Sequence, residues 1–189
     1  MRKTFLIVAI FILTSITLGT PQYVEKISSF QSIGDYPTPP KTDKMLFYVQ
    51  RSHNKNTIVY DLNFKLDKKL NNEEPIHPYW IRYEEGGVKK ELSYIQKKYA
   101  YGLEFNIQDS YNSKYKVYFV CYSKKYFELM KSPKDNKMRA YITVNNKFLE
   151  LEKIFIKTDG GTFWFPTVKY IDITGKDATG KTITERMIP

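Results

Sequence analysis

Met45-Leu-Phe-Tyr-Val-Gln-Arg-Ser-His-Asn-Lys-Asn-Thr-Ile-Val-Tyr-Asp-Leu-Asn-Phe64 sets the period that the rest of the chain follows. Over Met45–Ser52, Met45, Phe47 and Val49 fall on one face, with Leu46 and Tyr48 on the other. Over Thr57–Phe64, Ile58, Tyr60, Leu62 and Phe64 point one way and Thr57, Asp61 and Asn63 the other. A period of two is the mark of a half-buried strand. His53-Asn54-Lys55-Asn56 between the runs is turn chemistry, so the stretch reads as a β-hairpin.

The same period recurs downstream. Tyr101, Leu103, Phe105 and Ile107 alternate with Gly102, Glu104, Asn106 and Gln108. Lys114–Tyr122 reads as one strand with Tyr115, Val117, Phe119 and Cys121 on a shared face. Met138–Val144 and Lys147–Lys157 flank Asn145-Asn146, a second hairpin. In the later of these strands the apolar phase moves from Leu149 and Leu151 to Ile154 and Ile156, which one extra residue near Glu152-Lys153, a bulge, accounts for. Val168–Thr174 and Thr182–Met187 flank a third turn, Gly175–Lys181. Pro78–Tyr83 and Tyr126–Met130 complete the strand candidates. One segment departs from the pattern. Val88, Leu92, Ile95 and Tyr99 recur at helical spacing, with Lys89, Lys90, Lys97 and Lys98 opposite, which predicts an amphipathic helix of about three turns. The fold expected is mainly β, an antiparallel β-sandwich of about 8–10 short strands with one short helix; a small β-barrel is the alternative.

The amino-terminal end has a different character. Arg2 and Lys3 precede an apolar run from Thr4 to Leu18, and Thr17 and Gly19 fit a signal-peptidase site. Residues 1–19 are therefore expected to be a cleaved signal peptide. The run is too short for a transmembrane helix, which takes roughly 20 apolar residues. Residues 20–43, with Pro21, Pro37, Pro39 and Pro40, read as a polar spacer. Residues 44–189 read as a single β-rich domain, which the protein presents in the periplasm, at the cell surface or as a secreted protein. Cys121 is the only cysteine, so no internal disulfide forms and stability comes from packing. Its strand phase places it in the core.

Catalytic and metal chemistry find little support. His53 and His77 are the only histidines, and neither has a second ligand at zinc spacing, so no metal site and no cofactor are implied. An enzymatic alternative, a hydrolase or transferase, would use His77 with a nearby carboxylate such as Glu84 or Asp61. Glu73-Glu74 and Glu84-Glu85 are adjacent pairs that point to opposite faces of a strand. Gly175–Lys181 lacks the spacing of a phosphate loop.

The compositional oddity is a surplus of tyrosine and lysine: 16 Tyr, with 30 Lys plus Arg against 20 Asp plus Glu and a net charge of +10. Lys97-Lys98-Tyr99, Lys114-Tyr115-Lys116 and Lys124-Lys125-Tyr126 set rings beside cations, and Phe163-Trp164-Phe165 is the densest aromatic run. Aromatic faces stack on sugars and lysines attract anions. The function expected is therefore a non-enzymatic binding or envelope-associated module, with Trp80, Arg82, Tyr83 and Trp164 as ligand-binding residues. Its ligand would be an anionic envelope glycan or a lipid headgroup. A third reading is a structural subunit whose exposed rings meet another envelope protein. Nucleic acid is disfavoured by export and by the lack of a recognition motif.

Four stretches carry a family likeness: Phe47–Asn63, Pro75–Gly87, Glu91–Leu103 and Gly175–Pro189. Together they resemble a family of small exported bacterial proteins classed as a domain of unknown function, over roughly Lys44 to the carboxyl terminus. The resemblance implies one domain and brings no activity, ligand or site residue with it.

Overall fold

The computed structural model describes residues 31–33, 36–110, 113–161 and 166–189. Its strands are β1 (Gln31–Ile33), β2 (Tyr36–Thr38), β3 (Met45–Arg51), β4 (Asn54–Leu62), β5 (Ile76–Arg82), β6 (Val88–Glu91), β7 (Leu103–Asp109), β8 (Lys114–Phe119), β9 (Tyr122–Lys131), β10 (Met138–Val144), β11 (Lys147–Gly161), β12 (Pro166–Lys176) and β13 (Thr182–Met187). The helix α1 (Tyr94–Gln96) runs on into a wider π turn, Lys97–Tyr101, between β6 and β7. The mainly-β fold with one short helix is what the alternation implies.

One mixed sheet of 11 strands holds β3–β13, and β11 organises it. Along one edge β11 pairs with β12 over Glu150–Gly161. Along the other it pairs with β10 through Lys147–Glu150 and then, in parallel, with β3 through Lys153–Ile156. Two arms, β3–β6 and β10–β7, thus leave the same edge of one 15-residue strand. They curl towards each other into a half-barrel. The parallel β3–β11 pair is the departure from the antiparallel expectation. The two layers of the expected sandwich are the arms of one sheet.

Aromatic packing closes the curl. Phe47 stacks on Tyr60 at 4.6 Å and meets Phe127 at 5.2 Å and Phe119 at 6.2 Å, both edge-on. These contacts join β3 and β4 to β8 and β9 across the core, which also takes in Trp80, Leu129, Leu149, Leu151 and Ile173. Each fully buried large apolar side chain contributes roughly 1.5–3 kcal/mol. A second, smaller cluster of Val59, Tyr79 and Ile81 lies on the opposite face of the β3–β6 arm, with Met45, Tyr48 and Tyr83 against it. β2 contributes there too. Gln50 donates from Nε2 to the Pro37 carbonyl at 2.7 Å and to Thr57 Oγ1 at 3.0 Å, and Tyr36 meets Phe155 edge-on at 5.0 Å. Tyr36 and Pro37, inside the stretch read as a spacer, therefore contact the sheet. The leader read at 1–19 lies outside the described residues.

Local expectations fared unevenly. Asn145 and Asn146 both take positive φ, 48° and 63°, as the two-residue hairpin between β10 and β11 requires. The bulge falls where the apolar phase shifts: the β11–β12 register steps from Leu151↔Gly175 to Lys153↔Thr174, passing over Glu152. A Cβ on Gly175 would stand 2.3 Å from the Glu150 carbonyl oxygen, so glycine is what allows the close approach at the bulge. The helix needs correcting. Val88–Glu91, its expected first turn, is the edge strand β6, paired with Tyr79–Arg82. Helix begins only after Ser93, whose Oγ accepts from Gln96 N while the Gln96 side chain accepts from Ser93 N. Of the apolar face expected, Leu92 is buried, but Ile95 and Tyr99 are exposed.

Cys121 is a second correction. Phe119 pairs with Tyr122, so Val120-Cys121 is a turn between β8 and β9 and the cysteine is exposed. Partial desolvation still holds its thiol above the ordinary range. The run Lys114–Tyr122 carries no Gly, Pro or Asn to mark the reversal, which is why alternation read straight through it.

Candidate functional site

The outer face of β8–β11 gathers rings and cations from four neighbouring strands. Register aligns Tyr118 with Tyr126, Lys116 with Glu128, Glu128 with Tyr141, and Thr143 with Phe148. Cross-strand partners share a face, and strands lie about 4.8 Å apart, so these side chains form rows across the sheet. Tyr126 and Phe148 are 41% and 48% exposed. Phe148 lies parallel to Tyr141 at 5.1 Å, an interplanar angle of 6°, and covers it. Tyr118 meets Tyr126 at 5.7 Å. The Lys116 ammonium sits 4.8 Å from the centre of the Tyr126 ring.

Charge on this face is unevenly satisfied. Lys114 pairs with Glu128 at 3.3 Å, and Arg139 pairs with Glu150 at 2.9 Å and with Asp135. Lys116, Lys124 and Lys125 have no carboxylate partner among the described residues. A recess of about 170 Å³ opens here, lined by Lys124, Lys125, Tyr126, Glu128, Tyr141, Thr143 and Phe148, the Glu128 carboxylate being the one held by Lys114. Exposed ring faces, hydroxyls and unpaired ammonium groups can together stack against a ring-shaped ligand and neutralise an anion on it.

The residues expected to bind ligand sit elsewhere. Trp80 is 4% exposed in the main core, donating from Nε1 to Gln96 Oε1 at 3.3 Å and meeting Tyr101 edge-on at 5.2 Å. Its ring has no free face, so the assignment of Trp80 to an accessible surface is corrected. Both faces of β5 are covered: Tyr79 and Ile81 enter the second cluster while Trp80 enters the first. Arg82 lies 5.7 Å from the Trp80 ring and is bound to Glu85 Oε1 at 2.6 Å. Tyr83 packs against the second cluster, where burial pushes its hydroxyl up to about 12. Trp164 lies outside the described residues.

The alternative catalytic set is partly assembled. Asp61 stands directly across from His77 in the β4–β5 register, but its Oδ2 accepts from the Tyr79 hydroxyl at 3.1 Å. Burial raises the Asp61 pKa above the ordinary carboxylate value, against the opposing pull of the Tyr79 hydrogen bond and of Lys89, His77 and Lys44. Glu84 is remote from His77. It lies beyond the far end of β5, roughly 17 Å or more along the strand, and accepts from Asn56 Nδ2 at 3.0 Å. The carboxylate that reaches His77 is Glu91, at 2.9 Å, one that the sequence did not single out. This pair borders an open recess of about 520 Å³ with Tyr79, Lys89 and Lys90. Among the described residues no group of three or more His, Cys, Asp or Glu could hold a metal ion.

Part of the β8–β11 face was visible in sequence. Lys114-Tyr115-Lys116 and Lys124-Lys125-Tyr126 stood out as rings beside lysines. Tyr118, Tyr141, Thr143 and Phe148 were missed, although each falls on the polar phase of its strand, where an exposed aromatic residue is itself a signal.

Fold and face together define a small half-barrel protein with an open aromatic–basic surface. The chain belongs to the DUF4833 family, a domain of unknown function, whose family model matches residues 47–186. No curated protein and no solved structure matches it.

Proposed function

We propose that this protein is a non-enzymatic, exported binding module that holds an anionic ligand of the envelope on the outer face of β8–β11. The observation that carries this reading is the coincidence of exposed Tyr126 and Phe148 with the unpaired Lys116, Lys124 and Lys125 on one sheet surface. A glycan or a lipid headgroup offers the matching anion. Tyr126→Ala with Phe148→Ala tests it. Both rings are exposed, so stability should change by less than about 1 kcal/mol, while affinity for anionic envelope extracts, followed by calorimetry, drops at least about tenfold, or 1.4 kcal/mol. Unchanged affinity in a folded double variant would exclude the face.

Export rests on Arg2-Lys3, the apolar stretch to Leu18 and the small residues before Thr20. Protein recovered from the envelope fraction should begin near Thr20. Amino-terminal sequencing that returns Met1 on a membrane-bound protein would refute this.

A second reading, a hydrolase or transferase using His77, is favoured by the 2.9 Å contact with Glu91 beside a recess. Against it, both side chains are largely exposed, at 37% and 62%, where water competes with the pair.

A further inference from the structure

The ladder between β9 and β10 stops while both strands continue. Ser132 N donates to the Lys137 carbonyl at 2.8 Å beside the turn, and the register runs from Lys131↔Met138 to Glu128↔Tyr141. Bonded pairs alternate along an antiparallel ladder. Counting from Ser132 and Lys137, the pairs Met130–Arg139 and Glu128–Tyr141 exchange bonds, and Tyr126–Thr143 would be next. That pair is not formed, yet β9 extends back to Tyr122 and β10 on to Val144. On the other face, Phe127 and Phe119 pack against Phe47 and Tyr60.

The result is a fork in the sheet. Tyr126 and Thr143 stand next along the two strands, beyond the last paired residues Glu128 and Tyr141. The same two residues line the recess of about 170 Å³ together with Lys124, Lys125, Glu128, Tyr141 and Phe148, the Glu128 carboxylate being paired with Lys114 at 3.3 Å. Thr143 is exposed and adds its hydroxyl.

We infer that this fork is the subsite for one carboxylated sugar unit of an anionic polysaccharide, an inference that rests on the reading of the β8–β11 face as a binding surface. A sugar ring lies against Tyr126 or Phe148. Its hydroxyls meet the main-chain groups of Tyr126 and Thr143 and the Thr143 hydroxyl, and its carboxylate meets Lys124 and Lys125. A polysaccharide chain can enter a gap between strands. A phosphate fixed in the plane of a bilayer reaches the lysines but not the backbone at the bottom of the fork.

The test compares polygalacturonate, its fully methyl-esterified form and phosphatidylglycerol vesicles as ligands of the full-length mature chain. Polygalacturonate should bind, and esterification, which removes the charge and caps the carboxylate with a methyl group, should weaken binding at least about tenfold. Lys124→Gln with Lys125→Gln should do the same, and Thr143→Val should weaken binding by roughly threefold to tenfold, with melting temperatures near the parent's. Binding to vesicles without binding to polygalacturonate would overturn the sugar subsite and leave the aromatic–basic face standing. So would polygalacturonate binding that is lost in Tyr126→Ala with Phe148→Ala but unaltered by the lysine and threonine changes. Failure of every probe to bind would remove the subsite and the face together.

Discussion

Trp80→Ala should lower the free energy of unfolding by about 3–5 kcal/mol, the range for truncating a buried large aromatic side chain. The indole fills the space between β5 and the helical segment. It packs edge-on against Tyr101 and donates to Gln96 Oε1, the same atom that accepts from Ser93 N in the helix cap. Truncation therefore leaves a cavity and also frees one of the groups that fix the start of the helix. Arg82, whose guanidinium lies over the ring, loses that support as well. A urea titration reads the effect as a fall in midpoint at unchanged slope. A loss below about 1 kcal/mol would be typical of a surface position and would contradict the placement of Trp80 in the core.

Phe47→Ala should cost a comparable 3–5 kcal/mol or so, by a different route. Phe47 is wholly buried and touches Tyr60 on its own arm and Phe119 and Phe127 on the other. With Tyr60, which meets Phe119 at 5.8 Å, it joins the two arms of the half-barrel. Its removal should loosen the closure between arms as well as the local packing. Hydrogen exchange separates the two effects: amides of β8 and β9 should lose protection together with those of β3 and β4. Loss confined to β3 and β4 would mean that the arms are held by other contacts.

What could be read from the sequence was local. Alternation found most of the strands from Met45 onward, because a strand with one face buried repeats every two residues. Asn145-Asn146 marked its turn because both residues need positive φ, and Glu152 marked its bulge because the extra residue moves the apolar phase. Besides the Val120-Cys121 turn and the strands within residues 31–38, three features escaped. The parallel contact of Lys153–Ile156 with Tyr48–Arg51 joins residues about a hundred positions apart and leaves no local trace. Val88–Glu91 carries a helical spacing, but the free edge of β5 offered it main-chain partners, and pairing outweighed propensity. Trp80 escaped because β5 is covered on both faces, and a period of two does not say which face meets the larger cluster. The aromatic–basic face was half visible for the same reason. Adjacent lysine–tyrosine pairs stand out in the chain, whereas Tyr118, Tyr126, Thr143 and Phe148 become neighbours only through register.

Ligand is proposed to bind on the outer face of β8–β11. Amide and side-chain resonances of isotopically labelled mature protein, followed while polygalacturonate is added, test it most directly. The expected result is that shifts concentrate at Lys116, Lys124, Lys125, Tyr126, Thr143 and Phe148, with His77 and Glu91 unmoved. Shifts centred on His77, Glu91 and Tyr79 instead, with the β8–β11 face silent, would contradict it.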